Sequence, residues 1–147
     1  MAHLRKTIVA LSVAAITSAP ALSATSSPEG MYRTFETNYK DMALATCIDT
    51  AYANNADVSK DAGSSVTAMR EWTYYDLERS PALITTLVAK YLARDYTHPL
   101  VESEIKGVKF DFLKCLDLYH SQELDALTKK LVDHPTRTYM KNVKPHR

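Results

Sequence analysis

One ridge of residues constrains this chain more than any other feature. Phe35, Tyr39, Ala43, Cys47 and Ala51 recur every four positions, a spacing that lines side chains along one face of an α-helix. The spacing predicts a helix from Met31 to about Asn54. Asn54-Asn55-Ala56-Asp57 reads as a break, with Asp57 the expected N-cap of a second helix. That helix runs through Val66, Met69, Trp72 and Thr73, and Gly63-Ser64-Ser65 is expected to split it. Asp76 or Ser80 can cap a third helix, with Pro81 in its first turn, where a missing N–H is not needed. There Ile84, Leu87, Val88 and Tyr91 form the cleanest amphipathic stripe of the chain. Thr97-His98-Pro99 ends that helix and Gly107 marks a turn, so residues 95–106 are aperiodic. Phe112, Cys115, Leu116 and Tyr119 give a fourth stripe. Leu124, Leu127 and Leu131 give a fifth, which Pro135 should stop. The tail, 136–147, is expected to be loose. No stretch alternates apolar and polar residues for long enough to argue for a strand. The fold class is therefore all-α, a compact bundle of about five helices.

The N-terminus bears on the compartment. Arg5 and Lys6 precede an apolar run from Thr7 to Ile16, which is followed by the small residues and proline of Ser18 to Ala24. Charged head, short apolar middle and small-residue end are the three parts of a secretory signal peptide. The run is too short for a permanent span, which needs roughly 20 residues; a membrane-tethered or mobile arm is the alternative. Residues 1–24 are read as the leader, with cleavage after Ser23 or Ala24, and 25–147 as one helical domain. The mature protein is expected in the periplasm, without a membrane anchor. The chain has two cysteines, Cys47 and Cys115, both on core-facing stripes. In an oxidising compartment such a pair is most simply an interhelical disulfide.

Charge and motifs then exclude function classes. The whole chain has 18 basic and 17 acidic residues. Removing the leader, with its two bases and no acid, leaves 16 against 17. A near-neutral domain lacks the basic surplus that a phosphate backbone demands, so nucleic acid is not an expected partner. With three glycines in all, phosphate-cradling loops are poorly supplied. No H-E-x-x-H or G-x-S-x-G motif is present. Neither cysteine has a histidine within four residues, which argues against a nucleophilic thiolate. Asp117, His120 and Glu123 stand at i, i+3 and i+6 and could in principle share a metal, but scattered polar groups of this kind are more often a solvated cluster. No catalytic residue, metal or cofactor is expected. In Trp72-Thr73-Tyr74-Tyr75, Trp72 or Tyr75 is expected in the core and the rest at an edge; the alternative is a protein contact, since Trp and Tyr are enriched at interface hot spots.

The block from Phe110 to Asp125, with its Lys114-Cys-Leu-Asp-Leu-Tyr-His-Ser121 run, resembles the type VI secretion amidase immunity proteins, specifically those cognate to the fourth amidase family. Leu131-Val-Asp-His-Pro135 and Thr138-Tyr139 extend the likeness downstream. Cys47-Ile48, Ala51, Trp72 and the helix from Leu87 to Tyr91 extend it upstream. The resemblance implies a non-enzymatic periplasmic homodimer that protects a bacterium from a papain-like peptidoglycan amidase injected by its neighbours. It also implies a loop that enters the catalytic groove of that amidase. The match for the loop is the aperiodic stretch 95–106, which makes Tyr96, His98, Leu100, Val101 and Glu104 the candidate effector-binding residues; the segment at Gly63-Ser64-Ser65 is the competing choice. Two rival classes remain beside it. One is a helical periplasmic acid-stress chaperone; the other is a small hydrolase using His120 or His98.

Overall fold

A computed structural model of the chain describes residues 26–97 and 106–142. Six α-helices follow a short 3-10 turn at Glu29–Met31: α1 (Phe35–Ala51), α2 (Ala56–Glu71), α3 (Ser80–Leu92), α4 (Asp111–Tyr119), α5 (Gln122–Leu131) and the one-turn α6 (Tyr139–Asn142). Among the described residues there is no strand, only the isolated bridges Thr34–Thr138 and Tyr75–Val132. The protein is all-α, with five long helices among the described residues and one disulfide.

The four-residue ridge becomes the centre of the molecule. Phe35, Tyr39, Ala43 and Cys47 are buried, and Asn38 and Met42 are buried on an adjoining face of the same helix. α1 packs against α2, α3, α4 and α5, so more than one of its faces must be covered. Its buried amide is satisfied: Asn38 Nδ2 donates to Gly30 O at 2.7 Å, and Arg33 Nε donates to Asn38 Oδ1 at 3.3 Å. Gly30 is required by close approach, since a Cβ there would lie 2.9 Å from the Trp72 ring. Side-chain caps start three helices: Thr34 accepts from Thr37 N, Asn55 from Val58 N and Ser121 from Leu124 N. Asp76 accepts from the backbone N–H of Glu78 and Arg79, and this turn feeds Pro81 into the first turn of α3.

Cys47 and Cys115 form the expected disulfide, with Cα atoms 5.6 Å apart and 68 positions between them in sequence. It joins α1 to α4, and both cysteines are fully buried. Tyr119, one turn past Cys115, donates to Asp41 Oδ1 at 3.2 Å. Cys47 facing Cys115 and Asp41 facing Tyr119 make α1 and α4 antiparallel, and the first turn of α4 therefore lies beside the end of α1.

Several expectations need correction. α2 runs unbroken through Gly63-Ser64-Ser65, with Ser64 and Ser65 hydroxyls returned to the carbonyls of Lys60 and Asp61, so that segment is no loop. Asn55 rather than Asp57 caps α2. α5 ends at Leu131, before Pro135. The tail is docked as far as Asn142: Phe35 N donates to Arg137 O at 2.8 Å, Glu36 N to Pro135 O at 3.1 Å, and Thr138 is buried. In α4 the buried set is Lys114, Cys115 and Leu118, while Phe112 is half exposed and Leu116 and Tyr119 are only partly buried. Of the aromatic cluster, Tyr75 packs edge-on to Tyr39 at 5.3 Å, and Tyr74, though exposed, lays its ring against Phe35 at 5.1 Å.

Candidate functional site: the aromatic face beside residues 98–105

Of the five sequence-predicted contact residues, Tyr96 is described; His98, Leu100, Val101 and Glu104 lie outside the described residues. What is described are the two roots of the segment and the helix end between them.

The first root leaves the C-terminus of α3. Lys114, almost wholly buried on α4, donates its ammonium to Leu92 O at 3.1 Å and to Asp111 Oδ1 at 3.0 Å. A cation at the last carbonyls of a helix is favourable, because the unpaired C=O groups there carry partial negative charge. Lys114 thus ties α3 to α4 below the root. Above it, the Arg94 guanidinium lies 3.5 Å over the Tyr91 ring and donates to the Tyr96 hydroxyl at 3.4 Å. The Tyr96 hydroxyl donates to Asp117 Oδ2 at 2.5 Å. The hydrogen bond to Tyr96 is also the first cause of an upward shift in the Arg94 pKa.

The second root, residues 106–110, is made by two left-handed residues. Gly107 has φ 75°, which a glycine adopts without strain, and Phe110 has φ 54° immediately before α4. A bulky residue in that region is costly and held only where its surroundings impose it. Together with Phe112 and Leu113, which are 50% and 45% exposed, and Tyr52, 37% exposed just past α1, it lines a shallow depression of about 440 Å³. Lys106 and Lys109 stand exposed on the same root. The face is therefore apolar at its centre and basic at its edge, with aromatic side chains held in the open. An anchored aromatic surface of this kind suits protein contact. The sequence reading missed it by assigning Phe112 to the buried stripe.

The rest of the surface offers little chemistry. Both thiols are consumed in the buried disulfide, so neither can act as a nucleophile. Among the described residues no three His, Cys, Asp or Glu side chains converge on a metal position. Asp117 is engaged by Tyr96, Glu123 accepts from Lys90 at 2.6 Å, and the His120 ring lies edge-on to Tyr119. A separate cleft of about 180 Å³ between α1, α2 and α3 has the Tyr39–Ser80 hydroxyl pair, 2.7 Å apart, in its lining. Burial there pushes the Tyr39 phenol above its usual value and keeps it neutral.

The model of the type VI secretion system amidase immunity family, Tai4, matches residues 37–128, more than half of the chain. The chain belongs to this family. No curated protein matches it. Among solved structures, a chain from the work on new type VI-secreted toxins and self-resistance proteins of Serratia marcescens is 29% identical. It superposes with a TM-score of 0.70 over 86% of this chain and 100% of its own. A chain of the Tae4/Tai4 effector–immunity system of Salmonella typhimurium, selenomethionine variant, is 23% identical, with a TM-score of 0.56 over 71% of this chain and 96% of its own, and shares the fold. The family match takes in α1 nearly whole, the disulfide, both roots of residues 98–105 and most of α5. The two roots of residues 98–105 therefore lie inside the matched range. No described helix is long and apolar enough to cross a membrane.

Proposed function

We propose that the chain, exported by its leader, acts in the periplasm as a homodimer. There it binds a papain-like peptidoglycan amidase delivered by type VI secretion and fills the active-site groove of that enzyme. The reading is carried by the family match across residues 37–128. It is supported by the exposed aromatic face that Tyr52 forms with the second root and the first turn of α4. Inhibition needs no chemistry from the inhibitor: a Cys–His groove is silent when a rigid partner fills it. Protection demands high affinity, nanomolar or better, which is about −12 kcal/mol. Preorganisation favours that, because a scaffold braced by a disulfide between α1 and α4 has less order to lose on binding.

The test is a peptidoglycan hydrolysis assay with the cognate amidase, sought in the adjacent open reading frame. The purified mature protein should hydrolyse nothing alone and abolish hydrolysis by the amidase at a near-equimolar ratio. Undiminished hydrolysis in the presence of excess folded protein contradicts the proposal.

A further inference from the structure

Tyr96 was expected to touch the amidase, yet its hydroxyl is already committed within the chain. It donates to Asp117 Oδ2 at 2.5 Å and receives a hydrogen bond from Arg94 Nη1 at 3.4 Å. Arg94 is itself clamped on the Tyr91 ring at 3.5 Å. On the other side of Tyr96, the Lys114 ammonium stands 5.9 Å from the ring centre, and that ammonium is fixed by Leu92 O and Asp111. Three side chains, Arg94 from the root and Lys114 and Asp117 from α4, thus converge on one tyrosine. Tyr96 is partly buried, whereas Asp95 and Thr97 on either side of it are exposed. Tyr96 and Asp117 themselves lie outside the buried cluster, which the arrangement meets through the Tyr91 ring under Arg94. An exposed polar contact of this kind adds little to global stability; what it does is order the few residues it joins.

We propose that Tyr96 is a positioning residue: its bond to Asp117, reinforced by Arg94, fixes the backbone at Asp95–Thr97, and the amidase is met by other residues. The inference rests on the inhibitory reading given above and specifies how the binding face is held ready. Ordering the root before encounter removes that entropy from the cost of association. The phenol–carboxylate bond is the device. Asp117 enters this role from the Lys-Cys-Leu-Asp-Leu-Tyr-His-Ser run, so that motif serves the root at Tyr96 as well as the core.

The experiment is a double-mutant cycle with Tyr96→Phe, Asp117→Ala and the pair, reading affinity for the cognate amidase, melting temperature, and amide exchange at Asp95–Thr97 in the free protein. Each single change should weaken binding roughly fivefold, the worth of one hydrogen bond of about 1 kcal/mol. The double variant should lose no more than either single one. Asp117→Asn, which keeps an acceptor, should retain most of the affinity. Amide exchange at the root should rise alike in both single variants, with the melting temperature nearly unchanged. Additive losses would mean that Tyr96 contacts the amidase directly and would overturn the positioning role. Unchanged exchange at Asp95–Thr97 would overturn it too, whatever the affinity does. Wild-type protein that binds no amidase would defeat the inhibitory reading itself, and the positioning role would fall with it; the exchange data would still tell that failure from a missing latch.

Discussion

The two halves of α4 differ more than any two helices of the protein. At its C-terminal half, Cys115 and Leu118 are fully buried, bonded to or packed on the central helix. At its first turn, Phe112 and Leu113 are as apolar yet stand half exposed. The same short helix thus supplies both core and open aromatic face. The difference follows from where α1 stops. α1 ends at Ala51, and Tyr52 lines the same depression as Phe112, so the first turn of α4 has little of α1 left to pack on. An apolar residue is therefore no guide to burial unless its partner helix is long enough to cover it.

The comparison predicts a ranked set of outcomes. The largest concerns the staple that holds the buried half. Opening the 68-residue separation by Cys47→Ser should cost about 4 kcal/mol on the chain-entropy model. Cys115→Ser should cost a similar amount, because either change opens the same loop; thermal or urea unfolding of both variants measures this. A large difference between the two would show that one site is stabilised by its local packing rather than by the bridge. Next, Leu118→Ala should lose about 2–5 kcal/mol through a core cavity, and the partly buried Leu116→Ala distinctly less. Equal costs would erase the burial difference described here. At the open half, Phe112→Ser and Leu113→Ser should each leave stability within about 0.5 kcal/mol of wild type, while weakening amidase binding. If either melts like a core variant, the face is structural and not free.

The smallest effect is that of acid. Asp76, Glu123 and Asp125 all titrate below their ordinary values, held down first by the Arg79 backbone N–H, by Lys90 and by Lys40 respectively. Depressed carboxylates contribute stability that is complete above their unfolded values, 3.8 for Asp and 4.5 for Glu, and lost as pH falls through the folded values. Glu123 is exposed and Asp76 and Asp125 are only partly covered, so the melting temperature should fall only gently as the pH drops below about 4. Abrupt unmasking of apolar surface there, read by dye binding, would favour the acid-stress chaperone reading instead.

Much of the buried half was legible in the sequence because its signals are local. The ridge from Phe35 to Cys47, the stripe of Ile84, Val88 and Tyr91, and the pairing of two core-facing cysteines all follow from helical spacing. The open half was not, because tertiary geometry decides it. Phe112 carries the same periodicity as Cys115, and only the length of α1 separates their fates. Gly63 was expected to break α2, but one helix glycine costs only about 1 kcal/mol and the packing of α2 on α1 outweighs it. The docked tail depends on Arg137 O and Pro135 O meeting the first amides of α1, a long-range pairing with no local signature. Tyr96 was singled out by sequence, but its partner Asp117 lies 21 positions away on another helix, and the sequence reading placed Asp117 in a solvated polar cluster.

The central claim, that the protein silences an amidase through residues 98–105 and the face around their roots, is tested most directly by one paired titration. Inhibition of peptidoglycan hydrolysis and melting temperature are measured together for wild type and for His98→Ala, Leu100→Ala, Val101→Ala and Glu104→Ala. The account predicts unchanged melting and, for at least one of these, a loss of about 2 kcal/mol or more, roughly thirtyfold in affinity. Four variants that inhibit like wild type while their fold holds would contradict it and move the inhibitory surface elsewhere on the molecule.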